Sequence, residues 1–173
     1  GDFEAQIEIF ESYQIPIIDI TAVVDGGNLL AGTYNFVARY YQNGSVTPFG
    51  IISQPVPIVD ETEPTDRYSY DGAYLDTVCR KTIEGTVNNI DTDFLYIEIA
   101  VIKYLGETST PSIEVFARQA ITTDSVSFTY TGYETVLAQS NLAELNQVLK
   151  IRDGINDELR TENARLREAK ETK

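Results

Sequence analysis

From Gly32 to Tyr41 the chain alternates with a period of two. Tyr34, Phe36, Ala38 and Tyr40 fall on one side, and Asn35, Val37, Arg39 and Tyr41 on the other. Successive side chains of a strand point to opposite faces, so this run is a strand with Tyr34, Phe36, Ala38 and Tyr40 as its core face. Gln42-Asn43-Gly44-Ser45 follows, and Asn-Gly is the pair that reaches positive φ in a tight hairpin turn. The return strand is expected through Ile51, Ile52, Val56 and Ile58. Pro48, Pro55 and Pro57 lack a donor N–H, which puts that strand at a sheet edge or makes it bulged.

Other segments repeat this grammar. Ile7 and Ile9, with Tyr13, read as a first strand broken by Pro16. Ile17 to Val24 reads as a second, stopped by Asp25-Gly26-Gly27-Asn28. The acidic stretch Asp60–Asp76 reads as a connecting loop, packed down by Tyr68, Tyr70 and Tyr74. A second β block opens near Val78, with Ile83 and Val87 in a strand interrupted by Gly85. A turn at Asn88–Asp93 leads into Phe94–Leu105, the most apolar stretch. Leu95, Ile97, Ile99 and Val101 share one of its faces; Phe94, Tyr96, Glu98, Ala100 and Ile102 share the other. Two largely apolar faces predict a central strand. Ile113, Val115 and Ala117 begin another strand, and Val126, Phe128 and Tyr130 form the last. Phe36 and Ile99 are expected to be nearly fully buried.

The period becomes helical from about Leu137. Leu145, Val148, Ile155, Leu159 and Leu166 lie on a heptad grid, with Arg152 and Glu162 as polar intruders. Gly154 weakens a helix interior and could kink or break it. Such a seam calls for a partner: a neighbouring chain, which makes it an oligomerisation seam, or the chain's own body. The expected class is mainly β, an immunoglobulin/fibronectin type III-like β-sandwich over residues 1–136 with a C-terminal α-helical tail over 137–173. The sandwich could instead be two sub-modules meeting near residue 62. One sandwich is favoured, because neither half alone offers many core residues.

Charge and composition narrow the function. Residues 1–138 hold 6 Lys/Arg against 20 Asp/Glu, whereas residues 139–173 hold 7 of each, so the whole net charge of −14 resides in the body. Duplex binding relies on Lys/Arg neutralising phosphates, so tight nucleic-acid binding is not expected. The chain has no histidine, which removes the usual general base and proton shuttle. Cys79 is the one cysteine and reads as a small buried hydrophobe; it can form neither an intrachain disulfide nor a cysteine metal cage. Asp91-Thr92-Asp93 could hold Ca²⁺ through hard oxygens, but a turn with side-chain caps is the favoured reading. No metal, cofactor or catalytic residue is assigned. No apolar run reaches the ~20 residues of a membrane span. The 11 tyrosines suit either a binding surface or the filling of strands, the second weighted more heavily. No methionine occurs, even at position 1, so the chain is expected to be a piece of something longer.

Two resemblances sharpen this reading. Leu29–Gly44, followed by Thr47-Pro48-Phe49-Gly50, resembles the last hairpin of fibronectin type III modules. In such modules that hairpin closes the chain, whereas here further strands follow, so a single sandwich would have a permuted strand order. The span from about Ile17 to Asn146 resembles tail-associated structural proteins of tailed phages, most of all the stabilisation or muzzle-type proteins of crAss-like phages. Val24–Tyr34, Asn89–Ile99 and Phe128–Glu134 carry the likeness. The resemblance implies a non-enzymatic virion scaffold at the portal-proximal tail, assembling with itself or with other virion proteins. The charged stretch Asp153–Lys173 has no counterpart in it. The runner-up is an extracellular ligand-binding or adhesion sandwich, such as a glycan binder. A third class, a hydrolase on paired carboxylates, has no recognisable spacing to support it.

Overall fold

The structure is a computed structural model and describes residues 13–59, 78–106, 110–140 and 142–171. Nine strands precede one helix among these residues: β1 (Ile17–Asp25), β2 (Gly32–Gln42), β3 (Ser45–Val46), β4 (Val56–Ile58), β5 (Lys81–Asn88), β6 (Tyr96–Tyr104), β7 (Ile113–Ala120), β8 (Val126–Tyr130), β9 (Ala138–Ser140) and α1 (Leu142–Glu171). They form a β-sandwich of two antiparallel sheets. One has the order β1-β5-β8; the other has the order β3-β2-β6-β7-β9, with β4 also paired to β2. Strands from both sides of residue 62 enter both sheets, because β1 pairs β5 and β2 pairs β6. The expected strand at Ile7 and Ile9, and the loop carrying Tyr68, Tyr70 and Tyr74, lie outside the described residues. Tyr13 sits in a bend, where its ring meets Tyr40 and Phe94 edge-on at 5.5 and 5.7 Å.

The core between the sheets follows the alternation of β2 and β6. Tyr34, Phe36, Ala38 and Tyr40 meet Ile97, Ile99 and Val101, together with Ile83, Val87, Phe128 and Tyr130 from the smaller sheet. Phe36 and Ile99 are both 0% exposed, as their positions in the pattern require. The turn also takes the anticipated form, with Asn43 at φ 53° and Gly44 at φ 80°.

Several local expectations need correction. The return from this turn is not one strand: Ile51 and Ile52 lie in an irregular stretch between β3 and β4. The prolines explain this, since a continuous ladder needs N–H groups they lack. The edge of β2 is satisfied in other ways. Thr47, Gly50 and Ser53 donate their N–H groups to the carbonyls of Tyr40, Ala38 and Phe36. The hydroxyls of Ser53 and Thr47 accept the N–H groups of Phe36 and Tyr40, at 2.9 and 3.0 Å.

Gly85 does not interrupt β5. The Phe128 ring lies against it, and a Cβ there would sit 2.6 Å from Phe128 Cζ. Leu95 is 52% exposed and is not a core residue, because the strand alternation begins only at Tyr96. Phe94 is folded in from the preceding turn instead, stacked 4.2 Å from Tyr40. In β7 a register shift opposite Ile99 and Ala100 makes Phe116 an extra residue. Phe116 and Ala117 therefore face the inter-sheet core, while Ile113 and Val115 face the other way. Finally, β8 is not the last strand. β9 follows it, the helix starts at Leu142 rather than 137, and it runs unbroken through Gly154.

Candidate assembly surface

The two sheets differ on their outer faces. The smaller sheet turns polar groups outward: Asn88 donates to Asp19 at 2.7 Å and accepts from Ser125 at 2.8 Å. The larger sheet has an apolar outer face. Val37, Ala100, Ile102, Ile113 and Val115 are each 0% exposed, although no second sheet among the described residues covers them. Their cover comes from Phe49 and Ile52 in the irregular return and from Leu145 and Val148 on the first turns of α1. The proline-broken segment and the helix thus do the work of a third layer.

Beside this apolar area lies a buried ionic row. Arg39, Glu98 and Arg118 are direct neighbours across β2, β6 and β7. The Glu98 side chain is 1% exposed. Arg39 Nε donates to its Oε1 at 2.8 Å, while Arg118 Nε and Nη2 donate to Oε2 at 2.9 and 2.8 Å. Arg39 also lies over the Phe49 ring, 4.5 Å from its centroid, and reaches Glu144 in the first turn of α1 at 3.8 Å. Arg118 lies over the Tyr41 ring at 3.9 Å, and its bonds to Glu98 hold its guanidinium above the usual arginine range. The row therefore connects the start of the helix to the half-exposed pair Tyr41 and Tyr96, whose rings meet at 6.0 Å. A buried carboxylate that accepts from two guanidiniums ties three strands together.

Leu145 and Val148 are each 2% exposed and packed on the chain's own sheet. Ile155 is half-buried, and the side chains of Leu159 and Leu166 lie outside the described residues. Between α1 and the residues after β3 runs a groove of about 440 Å³, lined chiefly by Val46, Pro48, Phe49, Val148 and Ile151. Val46 and Ile151 are 40% and 37% exposed along it. Of the two partners the sequence allowed for the seam, Leu145 and Val148 take the chain's own body; the groove and the ionic row were missed, since both depend on which strands become neighbours.

The remaining candidates have structural positions. Asp91 accepts the N–H groups of Asp93 and Gln14, at 3.1 and 3.2 Å, and so caps its turn and ties down the segment before β1. No group of three or more carboxylate or cysteine side chains that could hold a metal occurs among the described residues. Cys79 packs partly buried against the inter-sheet core. Tyr34, Tyr40 and Tyr130 fill that core; burial pushes the Tyr40 phenol up to about 12 and raises the other two further. Tyr133 is 71% exposed. No helix among the described residues is long and apolar enough to cross a membrane.

No individual curated protein matches the chain. A family does: the Crassvirus muzzle protein family matches residues 3–153, a span that takes in both sheets and the docked turns of α1 and stops just before Gly154. With a match over most of its length, this chain belongs to the Crassvirus muzzle protein family, a family of phage structural proteins.

Proposed function

We propose that the chain is a non-enzymatic structural module of the phage tail, which assembles with copies of itself and with other virion proteins. The family match over residues 3–153 carries this reading. The described side chains support it: the most deeply buried carboxylate, Glu98, is consumed by two arginines that hold strands together. We also read the sandwich as fibronectin type III-like with its last hairpin moved forward. The support is that β2 and β4, the hairpin strands, lie in one sheet with the later strands β6 and β7.

The acidic body fits a surface past which DNA moves without sticking. With 20 Asp/Glu against 6 Lys/Arg in residues 1–138, it repels a duplex at short range. Two experiments test the proposal. Antibodies raised against the chain should label the tails of intact or gently disrupted virions; label confined to unassembled lysate protein would refute the virion role. A fluorescence-anisotropy titration with duplex DNA at about 0.15 M salt should show no binding, and tight binding would overturn the charge argument.

A further inference from the structure

The described edges of the two sheets are unequally guarded. β3, β4, β8 and β9 have only two, three, five and three residues, and β4 carries Pro57. Short edges and prolines keep a sheet from pairing with another chain. β1 has neither protection. It is nine residues long, contains no proline, lysine or arginine, and stands at the end of the order β1-β5-β8, with no strand on its outer side among the described residues. Ile17, Val23 and Val24 are 43%, 44% and 37% exposed along it.

The two halves of β1 are complementary. Its first half borders a groove of about 210 Å³ between β1 and residues 51–54, lined chiefly by Ile17, Ile18, Ile20, Ile51 and Ile52. Its second half carries the exposed valines. Val23 stands opposite Ile83, and Ile18 opposite Val87, both residues of the inter-sheet core. Directly opposed residues share a face, so Val23 and Ile18 point toward the larger sheet, and Ile17 and Val24 point away. Val23 therefore has the orientation of a core residue and yet is 44% exposed. A register shift between Ile20 and Ala22 separates the halves. A two-fold axis at that shift sets β1 antiparallel to the β1 of a second copy, with Ile17 opposite Val24, Ile18 opposite Val23 and Asp19 opposite Ala22. Each Val23 then enters the groove of the other copy beside Ile18, and Ile17 and Val24 cover each other on the outer face. Asp19 meets an alanine and Asp25 lies past the end of the pair, so no acid of β1 faces another, as a chain of net charge −14 requires.

We propose that the free edge of β1 pairs with the same edge of a second copy of this chain, joining two three-stranded sheets into one of six strands, with each Val23 seated in the other copy's groove between β1 and residues 51–54. Backbone hydrogen bonds hold such a pair and the side-chain pockets set its register. The contact is isologous, so both grooves fill and the pair closes. The proposal rests on the self-assembly named above and specifies its geometry.

Sedimentation of the full chain across concentration tests it. A single pair of edges lies at the small end of specific interfaces, so the dimer should half-form on the order of 100 µM. Val23→Lys should weaken it at least about tenfold, because a charge on an edge strand blocks pairing. The same change should move the melting temperature of the dilute chain by no more than about 2 °C, since Val23 is exposed there. Leu95→Lys, which adds the same charge at a 52% exposed site away from β1, should leave the dimer intact. In a Cys79→Ser background, Ile17→Cys mixed with Val24→Cys should cross-link. Neither should cross-link to itself, because like positions lie about 23 Å apart in the antiparallel pair, beyond the reach of a disulfide. A chain that stays monomeric to about 1 mM, a dimer indifferent to Val23→Lys or equally weakened by Leu95→Lys, or a ready Ile17→Cys self-cross-link would each overturn the proposal. Tail labelling that persists after such a result leaves the virion role standing; an edge-paired dimer without tail labelling removes that role alone.

Discussion

Replacing Glu98 by Gln probes the ionic row most directly. Glu98 is 1% exposed, and both of its oxygens are engaged by guanidinium N–H groups at 2.8–2.9 Å. The Arg39 side chain is itself only 9% exposed, so the amide leaves a buried cation that must rely on the more distant Glu144, at 3.8 Å. Breaking a buried pair by removing one partner costs about 3–5 kcal/mol, a large share of the roughly 5–15 kcal/mol that stabilises a typical domain. For a chain of this size that corresponds to a fall in melting temperature of roughly 10 °C. Arg118→Leu is the control: its side chain is 39% exposed and Arg39 still donates to Glu98, so the expected loss is much smaller. Urea unfolding followed by tyrosine fluorescence gives both values, with unchanged slopes showing that the folded state is intact. A further double variant, Arg39→Leu with Glu98→Leu, should lose less than Glu98→Gln alone, because the charge it leaves, Arg118, is 39% exposed rather than buried. Should Glu98→Gln lose under about 1 kcal/mol, the row is hydrated rather than buried, and the coupling of three strands through it fails.

Three further outcomes follow from the core and the turns. Phe36→Ala, which empties a site where the rings of Phe116, Phe128 and Tyr130 converge within 6.0 Å, should lose about 3–5 kcal/mol in the same urea assay; a loss below about 1 kcal/mol would mean the faces of β2 are inverted. Gly85→Ala should cost about 1–3 kcal/mol, since its Cβ would meet the Phe128 ring at 2.6 Å and the Asp19 carbonyl oxygen at 2.9 Å, and a neutral result would show that the ring moves aside freely. The neutral Tyr40 phenol is favoured by burial, so its contribution is complete below pH 10.0 and lost as pH rises toward about 12; circular dichroism should show alkaline unfolding in that window, and a chain stable at pH 12 would contradict the burial of Tyr34, Tyr40 and Tyr130.

The sequence alone determined whatever depends on a few neighbouring residues. The alternation of β2 and its Asn43-Gly44 turn were legible because strand period and positive φ are local properties. The central place of β6 was legible from its two apolar faces, and the helical tail from its change of period. Tertiary structure decided the rest. Gly85 looked like a break until the ring that needs its missing side chain was known to be Phe128, 43 positions later. The extra residue at Phe116 turns one strand between two cores, and only its pairing with β6 exposes the shift. Arg39, Glu98 and Arg118 lie far apart in the sequence, and nothing local joins them. They become one buried row because register sets three distant strands side by side, and register is a property of the paired backbones, which no single segment carries within itself.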